Sequence, residues 1–321
     1  MSNLKRRDFI KNTALTAAGL SLAVNSQAET IKATGPLFKI SLAEWSINRS
    51  LFSGAMKHLD FPILARKHGI DAIEYVNQFF MDKATDSAFL REMKDRADSE
   101  GVRSLLIMCD REGALGNPDA KKRMQTVENH KKWVDAAKYL GCHSIRVNGF
   151  SGGSWGSPPD DFEESKKLVA DGLQKLCEYA DQFDLNVLIE NHGGNSSNAQ
   201  WLMGVMKLAN HKRAGTLPDF GNFRIYTNKE TKQTTSYDAY KGVAELMPLA
   251  KSVSVKPIAW DDKGNQSPLD YDRMLSGVLD AGFRGYCGIE HGEKGREWAA
   301  IGEVRQQLLE SRDRLRGKYS E

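Results

Sequence analysis

The chain has 321 residues, of which 40% are hydrophobic and 27% are charged, and its formal net charge is +3. Basic and acidic residues are interleaved, which argues against a nucleic-acid partner. Beyond residue 30 no segment approaches the roughly 18 consecutive apolar residues of a transmembrane helix, so we expect a globular protein without a stable membrane anchor.

The N-terminal segment, residues 1–28, has the features of a targeting sequence. Arg6 and Arg7 are adjacent, an apolar stretch covers residues 14–24, and small residues precede a plausible cleavage point after Ala28. This pattern resembles a bacterial twin-arginine export signal, the alternative being an amphipathic N-terminal helix. The resemblance implies that the twin-arginine export machinery is a partner and that the mature protein is periplasmic or secreted.

From residue 37 onward, short apolar segments alternate with amphipathic helical segments. The predicted strands are LFKISLAEW, IDAIEYV, VRSLLIMCD, HSIRVNGF, LNVLIENHGG, AGTLPDFGNF, KSVSVKPIAW and FRGYCGIEHGE. Several predicted helices end at glycine, as at Gly69, Gly141 and Gly282, a residue that tolerates a left-handed cap. Eight strand–helix units predict an α/β fold, a single-domain (β/α)8 TIM barrel over residues 37–318. A doubly wound open sheet is the alternative, but no glycine-rich phosphate turn follows the first strand.

Polar side chains recur at the ends of the predicted strands, at intervals of 29 to 42 residues. They are Glu74, Asp110, Asn148, Glu190, Asp219, Lys256 and Glu290. The carboxyl ends of the strands form the active-site face of a TIM barrel, so we expect these side chains to converge there. Two irregular inserts, residues 151–161 and 224–239, fall at the same face.

Three of these side chains are carboxylates from predicted strands five, six and eight: Glu190, Asp219 and Glu290. Carboxylates that share a site repel one another, so a positive charge must neutralise them. A divalent cation is the simplest candidate, with Mg²⁺, Mn²⁺, Co²⁺ and Zn²⁺ all compatible with oxygen ligands beside an imidazole. For Asp219 and Glu74, a helix N-cap role is the alternative.

The four cysteines, Cys109, Cys142, Cys177 and Cys287, form no Cys-x-x-Cys pair. An oxidising compartment would permit disulfides. Because all four lie in or beside apolar segments, we interpret them as buried free thiols.

Four segments carry a family resemblance: LIENHGG, LPDFGNF, VSVKP and GYCGIEHGE. They resemble the sugar phosphate isomerase/epimerase group of xylose-isomerase-like TIM barrels. The resemblance implies metal ligands at Glu190, Asp219, Glu290 and a histidine on strand seven. That last position is Ser254 here, so the fourth ligand is either Ser254, through a water, or His192.

The resemblance also implies a mechanism and its catalytic residues. Glu190 and Glu290 would remove a proton from one face of a substrate carbon and return it to the other. The metal ion would stabilise the enediolate, and Lys256 would hold its anionic oxygen or a hydroxyl.

Further residues at the strand ends and in the inserts are predicted to contact the substrate. Trp155 lies in a glycine-rich loop and can stack on a sugar ring. For Arg146 and Asn148, salt bridging inside the barrel is an equal alternative. At Asn222 the epimerases often have a histidine, which is a second departure from the family pattern. The predicted substrate-binding residues are Glu74, Arg146, Asn148, Trp155, His192 and Asn222.

The leading hypothesis is an exported, divalent-metal-dependent carbohydrate isomerase or epimerase that abstracts a proton alpha to a carbonyl. Its substrate would be a small unphosphorylated carbohydrate, because the chain offers no basic phosphate cluster. A lyase or dehydratase that eliminates water or an aglycone from a keto-sugar or 3-keto-glycoside is the second hypothesis. A non-catalytic sugar-binding barrel, favoured by Ser254 and Asn222, is the third. The oligomeric state stays open, with a homodimer as one possibility.

Overall fold

The computed structural model describes residues 35–152 and 156–319 of the chain. The predicted export signal, residues 1–28, and the predicted substrate contact Trp155 lie outside the described residues. Both therefore stay predictions.

Eight parallel strands form one sheet whose neighbours follow the order of the chain. Barrel strands 1 to 8 are Lys39–Ala43, Ala72–Val76, Arg103–Met108, Ser144–Asn148, Asn186–Glu190, Ala214–Leu217, Val253–Val255 and Tyr286–Ile289. Strand 8 pairs with both strand 1 and strand 7. Between strands 6 and 7 the ladder is reduced to two isolated bridges, Thr216 to Ala250 and Asp219 to Ser254. The sheet is thus a nearly closed barrel, and the predicted single-domain (β/α)8 fold is confirmed.

Helices lie between the strands and cover the outside of the barrel. The α-helices are α1 (Asn48–Phe52), α2 (Phe61–Lys67), α3 (Ser87–Ser99), α4 (Ala120–Leu140), α5 (Phe162–Ala180), α6 (Ala199–Ala209), α7 (Ala239–Leu246), α8 (Tyr271–Asp280) and α9 (Glu297–Tyr319). Short 3-10 turns occupy Glu44–Ile47, His58–Asp60, Asn77–Phe79, Asp181–Phe183, Gly194–Ser197 and Met247–Leu249.

The starts of the helices are fixed by their capping residues. Each helix from α3 to α8 begins after an Asp or Asn whose side chain accepts a hydrogen bond from a backbone N–H of the first turn. These residues are Asp86, Asp119, Asp161, Asn198, Asp238 and Asp270. The left-handed backbone predicted at Gly69, Gly141 and Gly282 is confirmed, with φ of 73°, 79° and 80°.

All four cysteines are buried free thiols, as interpreted from their apolar surroundings. Burial raises the pKa of each thiol, which keeps it protonated at neutral pH. No helix within the described residues has the combined length and apolarity needed to cross a membrane.

The predicted strand KSVSVKPIAW, residues 251–260, is wrong as one element. Only Val253–Val255 belongs to the barrel, and Ile258–Trp260 pairs antiparallel with Gln266–Pro268 in a separate hairpin. Pro257 lies between the two pieces and has no N–H to donate to a ladder, which ends the barrel strand. The insert after strand 6 also contains a hairpin, formed by Arg224–Thr227 and Thr234–Ser236.

The loop after strand 3 is fastened to α5 by close glycine packing. A Cβ built at Gly172 would lie 2.0 Å from the carbonyl oxygen of Leu115, and one at Gly116 would lie 2.4 Å from Val169 Cγ2. Only glycine, which has no Cβ, fits at these two positions. The same loop contributes Gly113 and Ala114 to the wall of the cavity described below.

We predict that Gly172→Ala destabilises the protein by about 2 kcal/mol or more, because the added methyl group meets backbone that cannot move without unseating the loop. The matched control is Gly302→Ala in α9, where nothing lies within 4 Å of the added Cβ. There alanine should stabilise the helix by about 0.5–1 kcal/mol. Urea unfolding of both variants measures the two free energies, and similar values for both would contradict the packing argument.

Candidate active site

A cavity of about 860 Å³ opens at the carboxyl ends of the strands. Its wall includes polar groups from several different strands together with the apolar side chains of Trp45 and Phe150. The lining residues important below are Gln78, Asp110, Arg146, Asn148, His192, Asn222, Lys256 and Glu290. A mixed polar and apolar concavity of this size suits a small organic ligand.

The floor of the cavity holds the predicted carboxylate cluster. Oxygen atoms of Glu190, Asp219 and Glu290 all lie within 4.8 Å of one another. Glu190 and Asp219 have no exposed surface, whereas Glu290 is 7% exposed and lines the cavity. Burial raises the pKa of Glu190 to about 7 and also raises the pKa of Asp219. The ends of strands 5, 6 and 8 therefore bring together three buried carboxyl groups whose ionised forms are disfavoured by burial.

The Lys256 ammonium lies between two of these carboxylates. Its Nζ donates to Asp219 Oδ2, and to Glu290 Oε1 at 2.8 Å. Burial alone would lower the pKa of Lys256, but the carboxylates around it raise the pKa above its ordinary value. Ser254 also donates to Asp219 Oδ2, at 2.7 Å, and its hydroxyl lies 3.3 Å from Glu290 Oε2.

Arg146 supplies a second buried positive charge. Its Nη1 donates to Asp110 Oδ1 at 2.8 Å, and its Nε lies 2.9 Å from Glu190 Oε2. The Nε–Glu190 contact is a charge contact only, because neither atom has a hydrogen-bond partner of acceptable geometry. The argument from sequence assigned Lys256 to the substrate and left Arg146 between substrate binding and salt bridging, so it did not set either charge against the three acids. Much of the neutralisation it assigned to a metal ion is provided by the chain itself.

Asp110 organises the opposite side of the mouth. It accepts hydrogen bonds from Arg146, from Asn148 Nδ2 at 2.8 Å and from Gln78 Nε2 at 2.9 Å. Burial alone would raise the pKa of Asp110, but the Arg146 charge and the donors Asn148 and Gln78 hold it well below its usual range. The carboxylate is therefore ionised and accepts from all three donors.

The same network fixes the tautomer of His192. Since Asn148 turns its Nδ2 toward the Asp110 carboxylate, its Oδ1 faces His192 Nδ1 at 2.8 Å. An amide oxygen only accepts, so Nδ1 carries the proton and Nε2 presents a lone pair. Burial, reinforced by Arg146, lowers the pKa of His192 to about 4, which keeps the ring neutral at neutral pH.

Two asparagines hold the turn after strand 6 against strand 5. Asn222 Nδ2 donates to Glu190 Oε1 at 2.8 Å. Fully buried Asn191 accepts from the N–H of Asp219 at 2.7 Å and donates to its carbonyl at 2.9 Å. The position of the Asp219 carboxylate is thus set from the neighbouring strand.

Glu74, a predicted substrate contact, lies outside the cavity wall. It has no exposed surface, does not line the cavity, and accepts a 2.7 Å hydrogen bond from Ser41. A Cβ on Gly288 would lie 2.4 Å from its Oε1, so Glu74 lies beneath Gly288 in the barrel interior. The Glu74 carboxylate therefore packs at the level of Gly288, two residues before Glu290 on strand 8, and its predicted contact with substrate stays a prediction.

Four of the other predicted substrate-binding residues lie together in the cavity wall. Arg146, Asn148, His192 and Asn222 line the cavity, as a substrate contact requires. Sequence reasoning placed Asp110 among the polar residues that converge at the active-site face but gave it no chemical role, and it singled out neither Gln78 nor Asn191. Asp110 carried a signal, because it ends a buried apolar strand, whereas Gln78 follows strand 2 in an irregular turn and carried none.

The carboxylate cluster could bind a metal ion, since carboxylate oxygens are ligands of divalent cations. The surrounding residues do not fit a resident ion, because Lys256 and Ser254 donate protons to the same oxygens. Neither predicted fourth ligand is available: Ser254 is engaged with Asp219, and His192 does not belong to the group whose ligand atoms converge. We therefore derive no chemical step through a metal.

Comparison with protein families gives a match over residues 63–316 to the model described as xylose isomerase-like TIM barrel. The chain belongs to the xylose isomerase-like TIM barrel family. A comparison with curated protein sequences gave no significant match.

Solved structures of this fold resemble the chain at low identity. A xylose isomerase-like TIM barrel protein from Mycobacterium smegmatis in complex with magnesium has 15% identity and a TM-score of 0.65, over 86% of this chain and 96% of that one. A 3-keto-D-glucoside 4-epimerase from E. coli has 15% identity and a TM-score of 0.61, over 85% and 99%. An L-ribulose 3-epimerase has 12% identity and a TM-score of 0.65, over 88% and 96%. Identities of this size show a common fold.

We predict that Arg146→Met lowers the free energy of unfolding by about 3–5 kcal/mol, because it leaves Glu190 and Asp110 buried without their shared cation. The matched control is Arg314→Met, which removes an exposed ion pair with Asp272 and should change stability little. Urea unfolding provides both values. Equal losses of unfolding free energy in the two variants would show that the buried charge of Arg146 stabilises the fold no more than the exposed charge of Arg314.

Stability should also depend on pH through Glu74. Burial raises its pKa to about 7 from an ordinary 4.5, so the folded chain holds a proton that the unfolded chain releases. This contribution is present at low pH and is lost as the pH rises from 4.5 through about 7. Glu74→Gln should therefore flatten the fall in stability between about pH 5 and about pH 8 by on the order of 2–3 kcal/mol. The exposed Glu163→Gln should leave the profile unchanged, and a profile unaltered by Glu74→Gln would refute the assignment.

Proposed function

We propose that this protein is a carbohydrate isomerase or epimerase that moves a proton on the carbon next to a carbonyl group, and that it acts after export from the cytoplasm. The observation that carries the proposal is the contact between the Glu290 carboxylate and the Lys256 ammonium, 2.8 Å apart at the floor of the cavity. A base beside a fixed cation suits this chemistry, and structural neighbours of the chain include sugar epimerases.

Glu290 acts as the base. It is the one member of the carboxylate cluster that lines the cavity, so a bound substrate can reach it. The carboxylate accepts the proton from the substrate carbon, and the electron pair of the broken C–H bond moves into the carbonyl. A negative charge then develops on the carbonyl oxygen.

Lys256 stabilises that charge. An ammonium held by two carboxylates keeps its position as the reaction proceeds, so little reorganisation accompanies the charge transfer. Ser254 and the carboxylate of Asp219 orient Nζ without contacting the cavity.

Glu290 and His192 share the remaining proton transfers. Glu290 returns the proton it has taken to the neighbouring carbon, while the Nε2 lone pair of His192 accepts the proton of the substrate hydroxyl and returns it to the former carbonyl oxygen, so both residues end as they began. Glu190 was predicted as a second base, but it is fully buried and bonded to Asn222, so we assign it a structural role beneath the cavity.

The size of the cavity favours an extended substrate. Ligand cavities range from about 300 to 1,000 Å³, and this one lies toward the upper end of that range. Trp45 and Phe150 offer apolar surface beside the polar floor. This combination suits a keto-glycoside with an aglycone, which also keeps elimination from a 3-keto-glycoside as a second candidate reaction.

A panel of ketoses and 3-keto-glycosides, with products identified by mass spectrometry and chromatography, tests the proposal. An epimer conserves mass, whereas elimination releases water or an alcohol. Failure of every substrate while sugars still bind would favour the non-catalytic alternative.

We expect Glu290→Gln to lower kcat by about two to four orders of magnitude, the usual contribution of a general base, with folding retained. The control is Glu293→Gln on the following loop, where the side chain is 45% exposed and pairs with Arg296. That variant should keep its activity. Normal turnover by Glu290→Gln would eliminate Glu290 as the base.

A further inference from the structure

We propose that the Lys256 ammonium is a built-in cation that takes the place of a divalent ion among Glu190, Asp219 and Glu290, and that it keeps such an ion out. The inference concerns the site of the proposed function, but it rests on the contacts of the carboxylates and not on the reaction. Its test therefore stands apart from the search for a substrate.

The first argument is the occupancy of the oxygen atoms. Both oxygens of Asp219 are engaged, Oδ1 by the N–H of Gly221 at 2.8 Å and Oδ2 by Ser254 and Lys256. Glu290 faces Lys256 with one oxygen and Ser254 with the other. A metal ligand must present a lone pair to the ion, and Asp219 Oδ2 and Glu290 Oε1 each direct a lone pair at the Lys256 ammonium instead.

Glu190 is held by one hydrogen bond and one charge contact. Its Oε1 accepts from Asn222 at 2.8 Å, and its Oε2 lies 2.9 Å from Arg146 Nε. Glu190 Oε2 accepts no hydrogen bond, but the Arg146 guanidinium beside it supplies positive charge at that oxygen.

The second argument is geometric. A divalent ion bound by oxygen ligands lies about 2.0–2.6 Å from each of them, so an ion shared by these carboxylates would occupy the space between Asp219 and Glu290. Lys256 Nζ bonds both side chains and fills that space. The ion and the ammonium therefore exclude each other.

The lysine stem is held in position along its length. A Cβ on Gly221 would lie 2.9 Å from Lys256 Cβ and 3.1 Å from its Cδ, so the stem runs directly over a glycine backbone. The side chain is only 18% exposed. Packing on both the stem and the head group opposes displacement of the lysine by an ion.

The third argument is charge. Lys256 and Arg146 already set two positive charges against the three carboxylates of the cluster. Adding a divalent ion without expelling Lys256 would place like charges a few ångströms apart in a buried site, which is strongly unfavourable.

The test measures metal binding directly. The purified protein is stripped with chelator, exchanged into Mn²⁺, passed through gel filtration and assayed for manganese by mass spectrometry, with affinity from calorimetry. We expect less than stoichiometric Mn²⁺ in the wild type. Lys256→Met keeps the apolar stem and removes the charge, so its affinity for Mn²⁺ should rise by about 100-fold or more.

Matched variants locate the ion. Asp219→Asn added to Lys256→Met should abolish the gain, Lys256→Arg should still exclude Mn²⁺, and Lys175→Met, at an exposed helical pair, should behave as the wild type. If Lys256→Met does not fold, Lys256→Gln provides a second neutral replacement.

Two results would overturn the proposal. One is a wild-type protein that holds one equivalent of Mn²⁺ which Asp219→Asn removes. The other is a folded Lys256→Met or Lys256→Gln protein that gains no affinity for the ion, since the lysine would then not be what keeps the ion out.

Discussion

The constraint on which this active site depends is the cost of burying several carboxylates within a few ångströms of one another. Glu190, Asp219 and Glu290 meet at the floor of the barrel mouth, where burial limits the screening of their charges by water. Such a cluster persists only if positive charge is supplied at close range. In this chain Lys256 and Arg146 supply it.

Each of these cations also joins neighbouring strands of the barrel. Arg146 on strand 4 contacts Asp110, which follows strand 3, and Glu190 at the end of strand 5. Lys256, just after strand 7, contacts Asp219 after strand 6 and Glu290 after strand 8. The sheet is weakest between strands 6 and 7, where only isolated bridges remain. The bonds from Ser254 and Lys256 to Asp219 cross that seam, so the electrostatic centre also helps to close the barrel.

Much of this architecture could be predicted from sequence because it depends on local pattern. The eight apolar segments and the regular spacing of polar residues at their ends are enough to indicate a TIM barrel and the convergence of its acids. The end of strand 7 could not be predicted from apolarity, because Ala259 and its neighbours are as hydrophobic as a barrel strand but belong to a hairpin. Glu74 resembles a strand-end residue in the sequence, and only its contacts with Ser41 and Gly288 place its carboxylate inside the barrel.

The pairing of cations with carboxylates in the site could not be predicted from sequence for a different reason. Lys256 was expected to face the substrate, and Arg146 either to contact it or to form a salt bridge inside the barrel. Both residues line the cavity, and Arg146 forms the salt bridge. Which carboxylate each one contacts depends on distances between residues separated by more than thirty positions in the chain. A motif shows that acids converge, but it does not show whether the compensating charge is a bound ion or a side chain.

A crystal structure of the wild-type protein grown with Mn²⁺, with anomalous diffraction recorded above the manganese absorption edge, tests this account most directly. The account predicts density for the Lys256 side chain between Asp219 and Glu290 and no anomalous peak at the cluster. An anomalous peak coordinated by Glu190, Asp219 and Glu290, with Lys256 turned away, would contradict it.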